Sequence, residues 1–150
     1  MKIRKVLTEI QVTYKHDIPM SQLPKVSCSA DAYMWLSSIW SENRSYIEEF
    51  NLLLLNRANA ILGYHRLSIG GTTSCLVDVK KVAQLALKSN CSGVILSHNH
   101  PSGNLKPSEA DKTITAKIKR ALEILEIQLL DHLILDDAEG YLSMADDGIL

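Results

Sequence analysis

Two histidines, a serine and an aspartate fall within one short stretch, His98-Asn99-His100-Pro101-Ser102-Gly103 followed by Ser108-Glu109-Ala110-Asp111. The preceding run Gly93-Val94-Ile95-Leu96 has the length and β-branched content of a buried strand, and a long pattern of helical period follows. The stretch is therefore a strand-to-helix connection. Residues two apart on an extended chain share a side, so His98 and His100 can aim at one point while Asn99 turns away. The bend expected of Pro101-Ser102-Gly103 would hold both imidazoles in place. Ser108 to Asp111 also has the spacing of a capping box, in which Ser108 caps the helix and Asp111 reaches back to it. On that reading Ser108 can cap and still line a site, whereas Asp111 must choose. His98, His100 and Asp111 together supply two nitrogens and one oxygen, a set of the type used by catalytic zinc with a fourth position left for water.

Such a site lowers the pKa of its water to roughly 7 and polarises a carbonyl, so it needs a base that stands near the metal without binding it. Glu48 and Glu49 are the acidic pair abutting a central-strand candidate. Strand neighbours face opposite sides, so only one of them can face the site. The competing structural reading is that both carboxylates solvate a strand end. His132, between Leu130 and Leu133 on an apolar run, reads first as a satisfied core histidine, with a partner that orients a zinc ligand as the alternative.

The elements that must position these groups follow from periodicity and turn residues. Ile3 to Tyr14 alternates imperfectly and is expected as an edge strand; Ser29 is placed to cap a helix through about Trp40 with Ala32, Trp35, Leu36 and Ile39 inward. Tyr46 to Asn56, with four consecutive leucines, is expected as a central strand, turning at Asn56-Arg57-Ala58-Asn59 and returning from Ala60 to Ile69, where Gly70-Gly71 ends it. Asp78 caps a helix from Val79 to about Ser89, and the strand Gly93 to Ser97 leads into the opening stretch. The helix beginning at Ser108 turns Ala110, Ile114, Ile118, Ala121, Leu122 and Leu125 inward. Ile127 to Leu135 is a further strand, Asp136 to Gly140 a turn, and Tyr141 to Met144 a short return. The order suits one α/β domain, a mixed sheet with helices on its faces, with the segment 1–45 packed as an N-terminal strand and helix on the unit 46–150.

Composition bounds the function classes. The 150 residues carry 16 Lys and Arg against 17 Asp and Glu, a formal net charge of −1, so no global field draws the chain onto nucleic acid or an anionic membrane. Cys28, Cys75 and Cys91 are odd in number and in no metal-like or redox spacing, as befits free thiols in a reducing compartment. No apolar run approaches a membrane span, and the N-terminus lacks a signal-type apolar region, so a cytoplasmic, soluble protein is expected.

The pattern His98-Asn99-His100, seven residues, Ser108, two residues, Asp111, with a glutamate on an upstream strand, resembles the JAMM (JAB, MPN+) metalloprotease motif. More narrowly, Leu96-Ser97-His98-Asn99-His100-Pro101-Ser102-Gly103 and Leu130-Asp131-His132-Leu133 resemble the RadC family, whose members were named as DNA repair proteins. The resemblance implies a cytidine-deaminase-like α/β/α sandwich of JAB1/MPN architecture, with zinc on His98, His100 and Asp111. It maps the family glutamate, two residues before a phenylalanine, onto Glu48 ahead of Phe50, which makes Glu49 the outward neighbour. It maps the oxyanion-stabilising serine onto Ser108. The implied activity is zinc-dependent hydrolysis of a peptide or protein conjugate, with Glu48 as general base. The segment 1–45 lacks the Gly-rich helix-hairpin-helix of long RadC proteins, which leaves direct nucleic-acid binding open, as it leaves substrate identity and oligomeric state.

The alternatives differ in kind. A contiguous His98-Asn99-His100 is not the dispersed triplet of HNH nucleases. The His-x-Glu and Pro-Cys-x-x-Cys elements of zinc nucleobase deaminases are absent, since Cys75 and Cys91 have no second cysteine three residues away. A non-catalytic or DNA-processing accessory protein that keeps the zinc site is the remaining alternative.

Overall fold

Leu52 to Leu55 carry the centre of the sheet, and all four leucines are buried because successive side chains enter different layers. A computed structural model describes residues 9–70 and 77–150. Leu52 and Leu54 join one apolar cluster with Phe50, Val82, Val94, Leu96, Ile118 and Leu122; Leu53 and Leu55 join another with Val26, Ala32, Leu36, Ile95 and Leu133. Each buried leucine contributes roughly 1.5–3 kcal/mol. A strand that is apolar on both faces needs cover on both, and the helices supply it.

The elements are α1 (Ser29–Ile39), β1 (Glu49–Leu55), β2 (Ile61–Ile69), α2 (Val79–Lys88), β3 (Gly93–Asn99), α3 (Glu109–Ile124), β4 (Gln128–Leu135) and β5 (Tyr141–Ser143). The sheet order is β2-β1-β3-β4-β5, with β3 and β4 parallel and the other neighbouring pairs antiparallel. Helix α1 lies over the face of Leu53 and Leu55, and α2 and α3 lie over that of Leu52 and Leu54. The result is a single α/β/α domain with a mixed five-stranded sheet. Among the described residues no helix is long and apolar enough to cross a membrane.

Five sequence expectations need correction; Ala110, expected inward on α3, is exposed, and β1 starts at Glu49 rather than Tyr46. Residues 9–14 form no strand, and the earlier part of that expectation lies outside the described residues. The local alternation is intact, with Ile10, Val12 and Tyr14 on one parity, but among the described residues no strand pairs with the segment, so its apolar side buries little and Ile10 and Val12 are 88% and 76% exposed. Helix α1 starts at Ser29 with Cys28 in the capping position, and the Ser29 hydroxyl instead donates to Asp146. Strand β3 runs two residues past Ser97, so His98 pairs with Phe50 on one side and Ile134 on the other. Gly71 and Cys75 lie outside the described residues.

Candidate metal centre

The end of β3 is where the two faces of the sheet acquire polar groups. His98 is inside the ladder and only 1% exposed, and His100 is one residue beyond it, its N–H donating to the Leu135 carbonyl at 2.9 Å. The turn that follows is closed by the Gly103 N–H on the His100 carbonyl at 2.9 Å, with Gly103 at φ +77°, a left-handed conformation that suits glycine. Both imidazoles point to the α2/α3 side, and the first turn of α3 brings Asp111 to them.

His98 Nε2 and His100 Nε2 are 2.9 Å apart. Asp111 places Oδ1 3.3 Å from His98 Nε2 and Oδ2 3.3 Å from His100 Nε2. Among the described residues these three form the group of histidine and acidic side chains that could hold a metal ion, with one donor atom from each within 4.8 Å of the others. The other ring nitrogens face away. His100 Nδ1 meets the Asn104 carbonyl, and His98 Nδ1 lies 2.7 Å from His132 Nε2.

Asp111 does not choose between cap and cluster. Ser108 Oγ accepts from the Asp111 N–H at 3.0 Å, and Asp111 Oδ2 accepts from the Ser108 N–H at 2.8 Å, a complete capping box. A carboxylate offers about four lone-pair directions, so the same group caps the helix and still faces both imidazoles. The expectation of exclusivity fails for that reason. Because its Oγ accepts the cap bond, the exposed Ser108 hydroxyl keeps its own proton free to donate.

The electrostatics follow the contacts. Burial works to raise the Asp111 carboxyl, but its contacts with the His100 and His98 imidazoles and the hydrogen bond from the Ser108 backbone hold it far below the usual carboxylate range. The hydrogen bond to Asp111 raises His100, assisted by the Asn104 carbonyl and the charges of Asp111 and Glu48, while burial opposes. Burial pushes the fully buried His132 well below the ordinary histidine value, so it stands neutral.

Glu48 and Glu49 go to different places. Glu48 precedes β1, half-buried, outside the three-residue cluster, and near enough for its charge to act on His100. Glu49 is 1% exposed rather than solvating a strand end: it accepts from Ser41 Oγ and pairs with Arg66 Nε at 3.2 Å. The reason is strand parity, which turns Glu49 to the α1 side. Asn99, between the two histidines, also turns to that side. Its Nδ2 donates to the carbonyls of Arg44 (2.7 Å) and Ile47 (2.8 Å), and its Oδ1 accepts from the Glu49 N–H (2.7 Å), so one amide grips the backbone on both sides of Glu48.

Sequence reading assigned Asn99 no task beyond turning away, and placed His132 first in the core. Both are buried polar residues with complete partnerships. The signal for Asn99 was its burial between two candidate ligands, where an amide must find several partners.

A family model described as "RadC-like JAB domain" matches residues 26–149. A "UPF0758 protein" of Flavobacterium johnsoniae is 45% identical over 128 residues, covering 85% of this chain and 55% of that protein. One of Porphyromonas gingivalis is 36% identical over 136 residues, covering 89% and 59%. The "UPF0758 protein YfjY" of Escherichia coli is 43% identical over 103 residues, covering 69% and 64%. The match thus spans little more than half the length of these relatives.

Proposed function

This chain belongs to the RadC-like JAB domain family, and from that premise we propose that it is a zinc-dependent hydrolase of the JAMM type, a metallopeptidase or isopeptidase with Glu48 as general base. The observation that carries the reading is the convergence of His98 Nε2, His100 Nε2 and the Asp111 carboxylate at 2.9–3.3 Å. Donors about 2.0–2.1 Å from a tetrahedral zinc lie about 3.3 Å from one another, so the set fits with small adjustment. With both Nδ1 atoms engaged outward, the two Nε2 atoms at 2.9 Å repel unless a proton or a cation lies between them, and a metal bound there would take the place of the proton that Asp111 favours on His100.

Zinc held by His98, His100 and Asp111 would supply a Lewis acid that lowers the pKa of water to roughly 7 and polarises a carbonyl oxygen. Glu48, outside the ligand set, takes the proton that the attacking water loses and delivers it to the leaving amine. Ser108, with its O–H unspent by the cap, donates to the oxygen on which charge develops. Asp111, held by the cap, keeps its carboxylate ionised. The substrate class is a peptide or isopeptide carbonyl within a protein or conjugate.

Metal analysis paired with cleavage profiling on peptide and isopeptide libraries tests this. The parent and Glu48→Gln should each hold one zinc per chain, and turnover of the variant should fall by about 10²–10⁴. A chain that holds zinc while parent and variant give the same empty profile would instead favour the accessory reading, and a chain that takes up no zinc would overturn the zinc reading itself.

A further inference from the structure

Behind His98, on the side away from Asp111, lies a second imidazole that the proposed chemistry does not use. His132 Nε2 is 2.7 Å from His98 Nδ1, and His132 Nδ1 is 2.6 Å from Thr115 Oγ1. Thr115 Oγ1 donates to the backbone carbonyl of Asp111 at 2.6 Å. His98, Thr115 and His132 are 1%, 2% and 0% exposed, so no solvent can stand in for a missing partner.

We propose that His132 and Thr115 are positioning residues of the metal centre, a hydrogen-bond circuit that fixes the tautomer of His98 and couples it to the helical turn bearing Asp111. The inference rests on the zinc reading above. The direction of every link is determined. A carbonyl only accepts, so the Thr115 proton goes to Asp111 and Thr115 Oγ1 must accept from His132 Nδ1–H. His132 is 0% exposed with no carboxylate bonded to its ring, so a charge on it would go uncompensated, and with Nδ1 carrying the proton its Nε2 is bare and accepts from His98 Nδ1–H. That leaves the His98 Nε2 lone pair facing His100 and Asp111. Reversing any one link would set two protons or two lone pairs against each other in a dry interior.

The surroundings hold the circuit rigid. Phe50 stacks on His98 with ring planes 3° apart and meets His132 edge-on, closing the apolar side. The His132 backbone is anchored by its own N–H on Asp131 Oδ1 at 2.7 Å and by the Met144 N–H on its carbonyl at 3.0 Å. Asp131 is not a hidden member: Ser143 Oγ and the Ala145 N–H occupy its oxygens as well. A zinc-ligating histidine commonly leans on a carboxylate or a carbonyl. Here the acceptor is a neutral imidazole, so orientation is gained without adding negative charge.

Zinc affinity of the full chain, measured by competition with a chromogenic chelator, is the test, with thermal unfolding of the metal-free forms as the folding control. His132→Phe removes the acceptor and keeps an aromatic ring, and should weaken zinc binding about 10–100-fold. His132→Gln, which can accept from His98 and donate to Thr115, should recover most of that loss. Thr115→Val should weaken binding by a smaller factor that Thr115→Ser restores, and this pair decides the matter if His132→Phe does not fold. The cobalt(II) absorption spectrum should change in His132→Phe and Thr115→Val but not in their conservative counterparts. Folded His132→Phe or Thr115→Val with parental affinity would overturn the circuit, as would conservative variants no better than the disruptive ones. A parent chain that takes up no zinc would overturn the underlying reading first.

Discussion

The two faces of the sheet at the end of β3 are built from alternate residues of one stretch yet obey different physics. On the α2/α3 side, His98, His100 and Asp111 crowd nitrogen and oxygen donors to 2.9–3.3 Å, an arrangement that a proton or a cation relieves. On the α1 side, Asn99 is a neutral amide whose donors and acceptor are all matched. One face is polarised; the other is satisfied and holds geometry. Glu48 depends on both, since its charge reaches the first face while the Asn99 amide fixes the backbone on either side of it. Alternation along a strand thus lets His98 and His100 turn to the candidate metal centre while Asn99, between them, clamps the opposite side without competing.

The sharpest way to break the comparison is to remove a donor from the polarised face. His98→Ala or Asp111→Ala should abolish zinc retention through dialysis, with circular dichroism showing a folded chain. Retention at parental stoichiometry would mean that the face is not a metal centre. Asp111→Ala should also lower stability by about 0.5–2 kcal/mol, because its half of the capping box goes too.

A change on the satisfied face should act the other way round. Asn99→Ala strands two carbonyls and an N–H at about 1–3 kcal/mol each, so a loss of roughly 3 kcal/mol is expected by denaturant unfolding. Zinc uptake should persist, because no donor is touched. Turnover should drop as Glu48 loses its hold, in a pattern resembling Glu48→Gln. An Asn99→Ala chain of parental stability that loses zinc would erase the distinction between the faces.

How far these faces were legible depends on where their information lies. The leucine run, the Asp78 cap and the capping box at Ser108 are local patterns, and the elements formed where periodicity and cap chemistry put them. The strand-end parity of His98, His100 and Asn99 was equally local. What stayed hidden needs tertiary neighbours. Nothing near Glu49 in sequence announces Arg66, which arrives through the β1/β2 pairing. Likewise His132 reads as one polar residue in an apolar strand until the parallel β3/β4 register sets it beside Leu96, next to His98 on the same face. The unformed strand at residues 9–14 failed for the complementary reason: local β-propensity was present, but no neighbour offered a face to bury.

The mildest probe of the comparison is pH, because the polarised face titrates and the Asn99 amide does not. In the metal-free chain His100 is raised above its ordinary 6.5 and His132 is lowered well below the same value. A raised histidine contributes stability that is fully present below 6.5 and lost as pH climbs through its folded pKa. A lowered histidine contributes nothing above 6.5 and costs stability as pH falls below it, at up to about 1.4 kcal/mol per pH unit until its folded pKa is reached. The two windows meet rather than overlap, so metal-free stability should peak near pH 6.5 and decline on both sides. Asp111, held low, adds a loss only as pH drops below the ordinary carboxylate range toward its own folded pKa. Urea unfolding between pH 5 and 8.5 should show this maximum. His100→Asn should flatten the alkaline limb, and His132→Gln the acid limb. Zinc should invert the alkaline limb, because it binds neutral imidazole and gains affinity as His100 gives up its proton. A metal-free profile that rises steadily through pH 6.5 in the parent and in both variants would show that the donors on this face do not face one another.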